Sequence, residues 1–530
     1  MPSLRETLNL SKTEVASATP PGTVLLIEHL EWTASQQPHD ELQLVPQPSD
    51  DPADPLNFPL WRKAGILASL SFFPFICNFT SSSISSALPL YAASPIFGLP
   101  PKPFSTLTYL IAVNILTLGV SNLLWVPLSN IFGRRPVILL GLVILTLTSA
   151  WAGLATSFES LLAARLFMGI GGGSADAVAP DAVGEVFFVH QRGRAMAIYT
   201  VCLAAGSNVG AMTGGYIASH GLEWIHWVNV ILSAVSFVLC FFLQPETLYV
   251  RNTPITPISD AKEKAEIEIR ETTEEVSVPS CPPYTFTRSL KLYTYQPGGV
   301  QKFIAPYKTL RLPGVWLVSL WYAGLVGATV AMSTVAPQVV SAPPYLWGKD
   351  AGLINAGGLI GTALGAVYTY FIADWTTKRL AKKDLRGYSE PESRLLTALP
   401  ALLIATGGIL MFGFTADNPT SKGWVALQFG IGMNAFGLMQ APSVGFNYMI
   451  ESYPTVSGDC FVAVTSARAV VAFAWTFFVG SWVEHEGAAE PFGIFGMLMG
   501  IFGLLTIPVW IWGKRLRIYT ARWIVPKERN

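Results

Sequence analysis

Twelve long apolar runs are the feature that most constrains how this chain of 530 residues folds. A helix needs about 20 apolar residues to cross about 30 Å of hydrocarbon, and each run has that length. Numbered as spans 1 to 12, the runs cover 64–89, 105–131, 136–156, 158–182, 194–219, 224–244, 314–340, 351–374, 395–415, 423–449, 458–484 and 490–513. Strands of a membrane barrel would alternate over about ten residues, so the runs predict an all-α membrane protein.

The spacing of the runs divides the chain into two halves. A polar stretch separates spans 6 and 7, so we predict an N-terminal six-helix bundle at 64–244, a central cytosolic loop at 245–312 and a C-terminal six-helix bundle at 313–513. The N-terminal tail, 1–63, is expected to be largely disordered, and a C-terminal tail covers 514–530. Two parallel halves around an axis along the membrane normal are typical of transporters.

Composition excludes several other classes of protein. The 34 Lys and Arg residues balance the 34 Asp and Glu residues, only 13% of residues are charged, and the mean hydropathy is +0.43. These values rule out a disordered chain or a coiled coil and give no support for a nucleic-acid partner. There is no Walker loop, and neither the cysteines nor the histidines have the spacing of a metal site. We therefore predict no cofactor, no metal ion and no enzymatic activity.

The distribution of Lys and Arg between the loops predicts the orientation in the membrane. Twenty-nine of these residues fall on the side that carries both termini, and only Lys102, Lys349 and Lys422 fall on the other side. Positive charge is retained in the cytosol, so both termini are expected there. We predict a monomeric, multi-pass protein of the plasma membrane, with the vacuolar or another internal membrane as the alternative.

The connection between spans 2 and 3 carries a short charged motif. Residues 127–136 read PLSNIFGRRP, and the Gly133-Arg134-Arg135 turn allows two helices to meet closely. Each guanidinium then faces the end of a neighbouring helix, where it can pair with a carboxylate. The motif resembles the loop signature of the major facilitator superfamily, except that Asn130 stands where the superfamily usually has an acid. The resemblance implies the twelve-helix major facilitator fold.

Span 4 and the residues after it give a more specific resemblance. The stretch from Arg165 to Gly193, which ends FFVHQRG, is similar to span 4 of the fungal twelve-span drug:proton antiporter family. That family usually carries an acid at the position of Glu185, which we expect to pair with Arg134 or Arg135 as a gate latch that breaks in one conformation. The loop between spans 8 and 9 resembles a second-half counterpart of the Gly133-Arg134-Arg135 loop. The predicted latch residues are Asn130, Gly133, Arg134, Arg135, Glu185, Arg192, Asp374 and Arg379.

Two ionisable residues lie deep in span 4. Arg165 and Asp176 are eleven residues apart, which in a helix places them about 20° apart on one face and about 16 Å apart along the axis. A charged residue within a span is costly and is expected to face a cavity or a partner. Asp176 is therefore predicted to bind a cationic solute, a proton or each in turn, unless an arginine or backbone amides neutralise it. Arg165 and Asp181 complete the predicted coupling or substrate residues.

Polar residues in other spans are candidates for the lining of a cavity. Transporters of this class build their cavity near the midplane from spans 1, 4, 7 and 10. An aromatic pair beside an acid suits a cationic solute, although each of these residues also fits ordinary helix packing. Arg468 is interpreted equally well as a counter-ion or as a contact for an anion. The candidates are Asn78, Asn208, Trp321, Tyr322, Asn434, Gln440 and Arg468.

Spans 5 and 8 each carry glycines at every fourth position. Such stripes are smooth and allow another helix to approach closely. We expect the two stripes to face each other across the two halves. The corresponding antiporter motif normally has Pro at the position of Ala211, which weakens the inference of efflux. The stripes are Gly206, Gly210 and Gly214 in span 5, and Gly357, Gly361 and Gly365 in span 8.

Together, the sequence predicts a secondary transporter that moves a small amphipathic or cationic organic solute by alternating access. Proton-coupled efflux is the favoured direction, with the solute, the proton and the lipid bilayer as the partners. One alternative is a proton-coupled uptake permease for a polyamine-like or other cationic nutrient. An alternative from another class is a membrane sensor that does not transport.

Overall fold

The computed structural model describes residues 51–93, 97, 100–249, 295–296, 299–369, 371, 388–453 and 456–524, with a few short stretches among the first 49 residues. Almost all of these residues are helical. Two short strands, Val24–Leu25 and Tyr388–Ser389, pair antiparallel with each other. This pairing connects the N-terminal tail to the segment that precedes span 9.

The first six spans form one bundle with its own core. Span 1 begins after Pro59 and is interrupted at Ser83, where a 3-10 turn replaces the regular helix. The helix bounds are Leu60–Ser82, Ser85–Ala87 and Leu88–Ala93 for span 1, Phe104–Leu107, Tyr109–Val120 and Asn122–Phe132 for span 2, Arg134–Gly153 for span 3, Phe158–Val186 for span 4, Val189–Ala218 for span 5 and Trp224–Leu243 for span 6. Buried side chains from these spans form one hydrophobic cluster, which also takes in Val462 of span 11.

The last six spans form a second bundle around a separate hydrophobic cluster. Helix Gly299–Thr309, in the predicted central loop, leads into this bundle. The bounds are Pro313–Ser341 for span 7, Gly348–Asn355 and Ala356–Tyr368 for span 8, Glu392–Asp417 for span 9, Gly423–Leu438, Ala441–Phe446 and Asn447–Ser452 for span 10, Ser457–Glu486 for span 11, and Ala489–Leu504 and Thr506–Ile524 for span 12.

Span 10 differs from the uninterrupted run that the sequence predicts. Eleven helices within the described ranges are long and apolar enough to cross a membrane, and span 10 is not among them. Its first regular piece has only 16 residues, after which Ala441–Phe446 widen into a π-helix. Pro442 explains the change, because it has no N–H to donate and its ring crowds the preceding turn. With this broken helix, the fold is the expected one of twelve transmembrane helices in two six-helix bundles.

The two halves touch closely at the end of the bundle that is remote from the Gly133 turn. We call this end the far end and the end that carries Arg134, Arg394 and Arg517 the basic end. At the far end, the rings of Tyr109 and Phe477 stack 4.7 Å apart between spans 2 and 11. This contact joins spans 2 and 11, and so the two halves, at the far end.

The glycine stripes do not face each other, which corrects the expectation from the sequence. A Cβ on Gly210 would lie 2.6 Å from the carbonyl oxygen of Phe79, so the span 5 stripe packs on span 1. A Cβ on Gly361 would lie 2.0 Å from the carbonyl oxygen of Gly432, so the span 8 stripe packs on span 10. Each stripe thus brings two helices of its own half together. The remaining stripe residues follow the same pattern: Gly206, Gly214, Gly357 and Gly365.

The ends of the predicted tails are packed against the bundles. Asp54 is fully buried and accepts a hydrogen bond from the backbone N–H of Leu56 at 3.0 Å. Lys63 donates to the carbonyl of Leu56 at 2.9 Å. At the other terminus the helix of span 12 continues to Ile524, beyond the predicted limit at 513. Residues 51–63 and 514–524 are therefore ordered parts of the fold.

Candidate functional site

Gly133 alone connects spans 2 and 3 at the basic end. Its φ is +107°, a backbone conformation that side chains with a Cβ rarely adopt. A Cβ at this position would also lie 2.2 Å from Oε2 of Glu246. Both facts require glycine, and the tight turn brings the side chain that follows it against the end of span 4.

Arg134 is the centre of a hydrogen-bonded cluster at this turn. Its Nε and Nη2 donate to Oε1 of Glu185 at 3.2 and 3.1 Å. Its Nη1 donates to Oδ1 of Asn130 at 2.5 Å and to Oγ of Ser129 at 2.7 Å. Asp181 lies farther away, with Oδ2 3.9 Å from Nη2. The amide oxygen of Asn130 therefore serves as an acceptor where the superfamily usually has an acid.

Glu246 is a member of this cluster that the sequence analysis missed. Its carboxylate accepts hydrogen bonds from the backbone N–H groups of Arg134 at 2.8 Å and Arg135 at 3.2 Å, and so caps the start of span 3. Burial raises the pKa of Glu246, while hydrogen bonds from these amides and from that of Leu248 oppose the rise. Thr247 donates to Oε2 of Glu185 at 2.7 Å. The sequence carried one signal for this contact. An acid stands directly after span 6, at the same end of the bundle as the start of span 3, which has no capping side chain of its own.

The other predicted latch residues have different surroundings. Arg135 donates from Nη2 to the carbonyl of Phe241 at 2.7 Å, and its guanidinium lies 5.5 Å from the centre of the Phe241 ring. Of the two arginines offered for Glu185, the structure thus selects Arg134. Arg192 lies in the helix of span 5, but its side chain is outside the described part of the chain. Asp374 and Arg379 also lie outside the described residues.

A cavity of about 360 Å³ opens between the two halves at the basic end. Asp181 and Glu185 contribute from the first half, and their side chains are 18% and 26% exposed. Ser457 and Asp459 contribute from the start of span 11 in the second half. Asp181 therefore belongs to this entrance and to the Arg134 cluster, and not to the site around Asp176.

Lys302 links the central segment to the same turn. Its Nζ donates to the carbonyl of Asn130, the last turn of span 2, at 2.8 Å. Burial, reinforced by the nearby charge of Arg134, lowers the pKa of Lys302. The helix Gly299–Thr309, which precedes the second bundle, is therefore tied to the first.

The second half has charge pairs at equivalent helix ends. Arg394 at the start of span 9 binds Glu451 at the end of span 10 through two contacts, at 3.0 and 2.7 Å. Arg517 in span 12 binds Glu392 through two contacts, at 2.7 and 2.8 Å, and also pairs with Glu390. Among the described residues of the second half, the pair equivalent to Arg134–Glu185 is thus Arg394–Glu451.

Asp176 and Arg468 form a charge pair deep between the two halves. Oδ2 of Asp176, on span 4, accepts a hydrogen bond from Nη2 of Arg468, on span 11. The two side chains are only 2% and 7% exposed. Arg468 also donates from Nη1 to the hydroxyl of Tyr322 on span 7 at 3.2 Å, and its guanidinium lies 4.9 Å from the centre of that ring. The structure thus identifies Arg468 as the counter-ion of Asp176.

This buried pair does not use all of its hydrogen-bonding capacity. Among the described residues, Oδ1 of Asp176 and Nε of Arg468 are buried and have no hydrogen-bond partner. An unsatisfied charged group in a medium of low dielectric constant is costly. Each partner of this pair therefore has one hydrogen-bonding atom that the described residues do not use.

Arg165 has a different role from the one that its spacing from Asp176 suggested. It is completely buried, and it donates to the carbonyls of Leu110 at 3.1 Å, Thr80 at 2.8 Å and Ser81 at 2.6 Å. The carbonyls of span 1 are available because its regular helix ends at Ser82. Arg165 thus joins spans 1, 2 and 4 within the first half and does not contact Asp176, and its role in coupling or substrate binding stays a prediction.

A smaller cavity of about 70 Å³ lies next to Arg468. Asn78 on span 1 lines it, as predicted, and Arg468 lines it from span 11. Most of its polar lining consists of hydroxyl groups from both halves: Ser81, Ser82, Ser85, Ser207, Thr329, Ser333 and Thr334. The site deep between the two halves therefore combines one charge pair with a cavity rich in hydroxyls.

Two of the other predicted cavity residues connect helices instead. Asn208 is buried and donates to the hydroxyl of Thr362 at 3.4 Å, which joins span 5 to span 8 across the halves. Gln440 is fully buried and donates to the hydroxyl of Thr369 at 3.0 Å, which joins span 10 to span 8. Their partners show that these amides hold helices together.

Trp321 and Asn434 are also packed between helices. Trp321 is fully buried and donates from its indole N–H to the carbonyl of Phe502 on span 12 at 3.1 Å, so it points into the second bundle. Asn434 donates to the hydroxyl of Thr329 at 2.8 Å and so joins span 10 to span 7. Of the seven predicted cavity residues, the structure therefore groups only Asn78, Tyr322 and Arg468 at the site around the Asp176–Arg468 pair.

Two helical bundles with a buried polar site between them are the arrangement found in secondary transporters. Comparison with known families agrees. The sequence profile of the Major Facilitator Superfamily matches residues 70–476. The chain belongs to the Major Facilitator Superfamily, and it is a multi-pass membrane transporter of a small solute rather than an enzyme.

Several fungal transporters are similar to this chain over most of its length. An MFS-type transporter of Schizosaccharomyces pombe is 27% identical, over 95% of this chain and 93% of its own length. Protein HOL1 of Saccharomyces cerevisiae is 24% identical, over 91% of both chains. The efflux pump radE of Floropilus chiversii is 24% identical, over 88% of this chain and 83% of its own length.

A solved structure shares the fold at lower similarity. The D-xylose-proton symporter superposes with a TM-score of 0.57, covering 84% of this chain and 97% of its own. Its sequence is only 16% identical, so this similarity bears on the fold alone. The fold of the two bundles is thus shared with a solved member of the superfamily.

Proposed function

We propose that this protein is a proton-coupled transporter that exports a small amphipathic or cationic organic solute by alternating access. The observation that carries the proposal is the Asp176–Arg468 pair, which bridges the two halves. Rocking of one bundle against the other must lengthen this contact. Protonation of Asp176 would remove its charge and so the attraction to Arg468, which would connect proton binding to the movement.

The groups around Asp176 support its assignment as the proton carrier. Arg468 on span 11, Tyr322 on span 7, Tyr199 on span 5 and Cys77 on span 1 lie within electrostatic reach of its carboxylate. An arginine does not lose its proton in proteins, and tyrosine and cysteine ordinarily titrate at alkaline pH. Among these groups, the carboxylate is therefore the one suited to exchange a proton during transport.

Export from the cytosol is supported by three further observations. The basic end holds the excess of Lys and Arg, which favours its placement in the cytosol. The cavity of about 360 Å³ opens at this end, where a solute from the cytosol would enter. A similar protein carries the name efflux pump. We further propose that the protein acts as a monomer in the plasma membrane, with both termini in the cytosol.

A flux measurement tests the coupling. The full chain is reconstituted into proteoliposomes with an imposed pH gradient, and the movement of rhodamine 6G, an amphipathic cation, is followed by fluorescence. We expect the gradient to drive dye movement by the wild type and not by Asp176→Asn. The exposed far-end variant Glu486→Gln is the matched control and should behave as the wild type does. Gradient-driven dye movement by Asp176→Asn would refute the coupling role of Asp176.

A second measurement needs no solute. Spin labels at positions 194 and 310, which are exposed at the basic end of the first and the second half, report the distance between the bundles. We expect the distance distribution of the wild type to differ between pH 5 and pH 8. Asp176→Asn should give one distribution at both pH values. A wild type without pH dependence would contradict proton coupling whatever the solute is.

A further inference from the structure

We propose that Arg468 is a built-in competitor of the transported cation. Its guanidinium occupies the place that a guanidinium or ammonium group of the solute takes, and the solute must displace it from Asp176. This inference rests on the proposed function in one respect, namely that the solute is cationic. It adds the identity of the binding site and the group that regulates access to it.

The surroundings of the Arg468 guanidinium have the composition of a binding site for an organic cation. Asp176 supplies a carboxylate, and Tyr322 supplies both a ring face, 4.9 Å away, and a hydroxyl oxygen, 3.2 Å away. A carboxylate and an aromatic face attract cations of this kind, most strongly where water is excluded. We call the Asp176 carboxylate together with the Tyr322 side chain the cation cradle.

Two other buried arginines, Arg517 and Arg165, have a guanidinium that is held by more contacts than that of Arg468, whereas Arg135 also leaves its Nε without a hydrogen-bond partner among the described residues. Arg517 binds both carboxylate oxygens of Glu392 and pairs with Glu390 as well. Arg165 is fully buried and uses three of its nitrogens on three carbonyls. Arg468 instead leaves Nε without a partner, and Asp176 leaves Oδ1 without one, among the described residues. The cradle is therefore only partly filled by the chain's own cation.

The cavity beside Arg468 offers the displaced guanidinium a place to move to. Arg468 already lines this cavity of about 70 Å³, together with the hydroxyls of Ser82, Ser207 and Ser333. Hydroxyl oxygens accept hydrogen bonds from a guanidinium. The exchange keeps one cation on Asp176 at every stage, so the buried carboxylate is never left charged and unpaired. A proton on Asp176 would then release either cation.

Binding measurements on the full chain in lipid nanodiscs test the competition. The probes are n-propylguanidinium, which matches the Arg468 side chain, and butyrate, an anion of similar size. We expect n-propylguanidinium to bind Arg468→Gln at least about tenfold more tightly than the wild type, because the apparent dissociation constant varies inversely with the vacant fraction of the cradle. Butyrate should show no such gain. Arg394→Gln, which removes a charge pair elsewhere in the same half, is the matched control and should bind as the wild type does.

Two further variants keep the test decisive. Arg468→Lys retains the charge but lacks the planar fork, so it should give an intermediate affinity for n-propylguanidinium even where Arg468→Gln fails to fold. The double variant Asp176→Asn/Arg468→Gln lacks the carboxylate and should lose the gain. Equal or weaker binding of n-propylguanidinium by both single variants would overturn the proposal. Loss of butyrate binding in those variants would also overturn it, because Arg468 would then be a contact for an anion.

These results separate this inference from the proposed function. Tighter binding of n-propylguanidinium by Arg468→Gln, without any pH dependence of the distance between the bundles, would support the cradle and refute proton coupling. The reverse pattern would support coupling and refute the competition.

Discussion

Span 4 supplies the carboxylate of two arginine–carboxylate pairs, and the two arginines lie in different halves of the molecule. Glu185 binds Arg134, and spans 3 and 4 belong to the same half. Asp176 binds Arg468, and spans 4 and 11 belong to different halves. Under the proposed rocking of the bundles, the first pair would stay intact and the second would lengthen. The comparison thus separates a pair that joins two helices of one bundle from a deeper pair that joins the two bundles.

The largest expected effect comes from breaking the pair between the halves. Arg468→Ala leaves the carboxylate of Asp176 buried without a counter-ion, and such a loss costs about 3–5 kcal/mol of stability. Thermal unfolding in detergent, followed by tryptophan fluorescence, measures the change. The double variant Asp176→Asn/Arg468→Gln removes both charges and should recover most of the loss. If Arg468→Ala unfolds at the temperature of the wild type, the buried pair is not as the structure shows it.

The second effect concerns the turn that positions Arg134. Gly133→Ala places a Cβ at a φ of +107° and against Glu246, so we expect a loss of about 1–3 kcal/mol. Gly458→Ala is the matched control, because a Cβ there meets nothing within 4 Å. The same unfolding assay compares the two. Equal stability of both variants would show that the turn tolerates other residues.

The third effect isolates the helix cap. Glu246→Ala removes the acceptor for two backbone N–H groups at the start of span 3, and loss of such a cap costs about 0.5–2 kcal/mol. Glu246→Gln keeps an acceptor oxygen and should lose less. Urea or thermal unfolding of both variants gives the difference. A larger loss for the glutamine than for the alanine would contradict the capping role.

The smallest effect sharpens the comparison between the two pairs. Glu185→Gln weakens a partly exposed pair and should cost about 1 kcal/mol or less, as should Glu451→Gln in the second half. The distance between spin labels at positions 194 and 310 should remain that of the wild type in both variants. A changed distance in Glu185→Gln alone would restore the predicted role of this pair as a gate.

Much of the fold was predictable because hydrophobic length is a local property. A run of about 20 apolar residues specifies a span without reference to any other part of the chain. The exception is span 10, where the apolar composition concealed the effect of Pro442 on the backbone. Apolarity alone does not distinguish a regular helix from one with a π-helical turn.

The candidate site was predictable only in part. The cost of a charge within a span correctly singled out Asp176, Arg165 and Arg468 as residues that need partners. Helical spacing then suggested that Arg165 and Asp176 act together, but they lie about 16 Å apart along the helix and face different neighbours. Arg165 meets the broken end of span 1, and Asp176 meets span 11.

The sequence alone determined the number of spans, their division into two halves and the identity of the residues that are expensive to bury. These follow from composition and spacing along one helix. The tertiary structure decided which helix each face meets: the glycine stripes pack within their own halves, and Arg468 neutralises Asp176 across the halves. The reason is physical. The period of a helix defines a face, but only the packing of all twelve helices places a partner opposite that face.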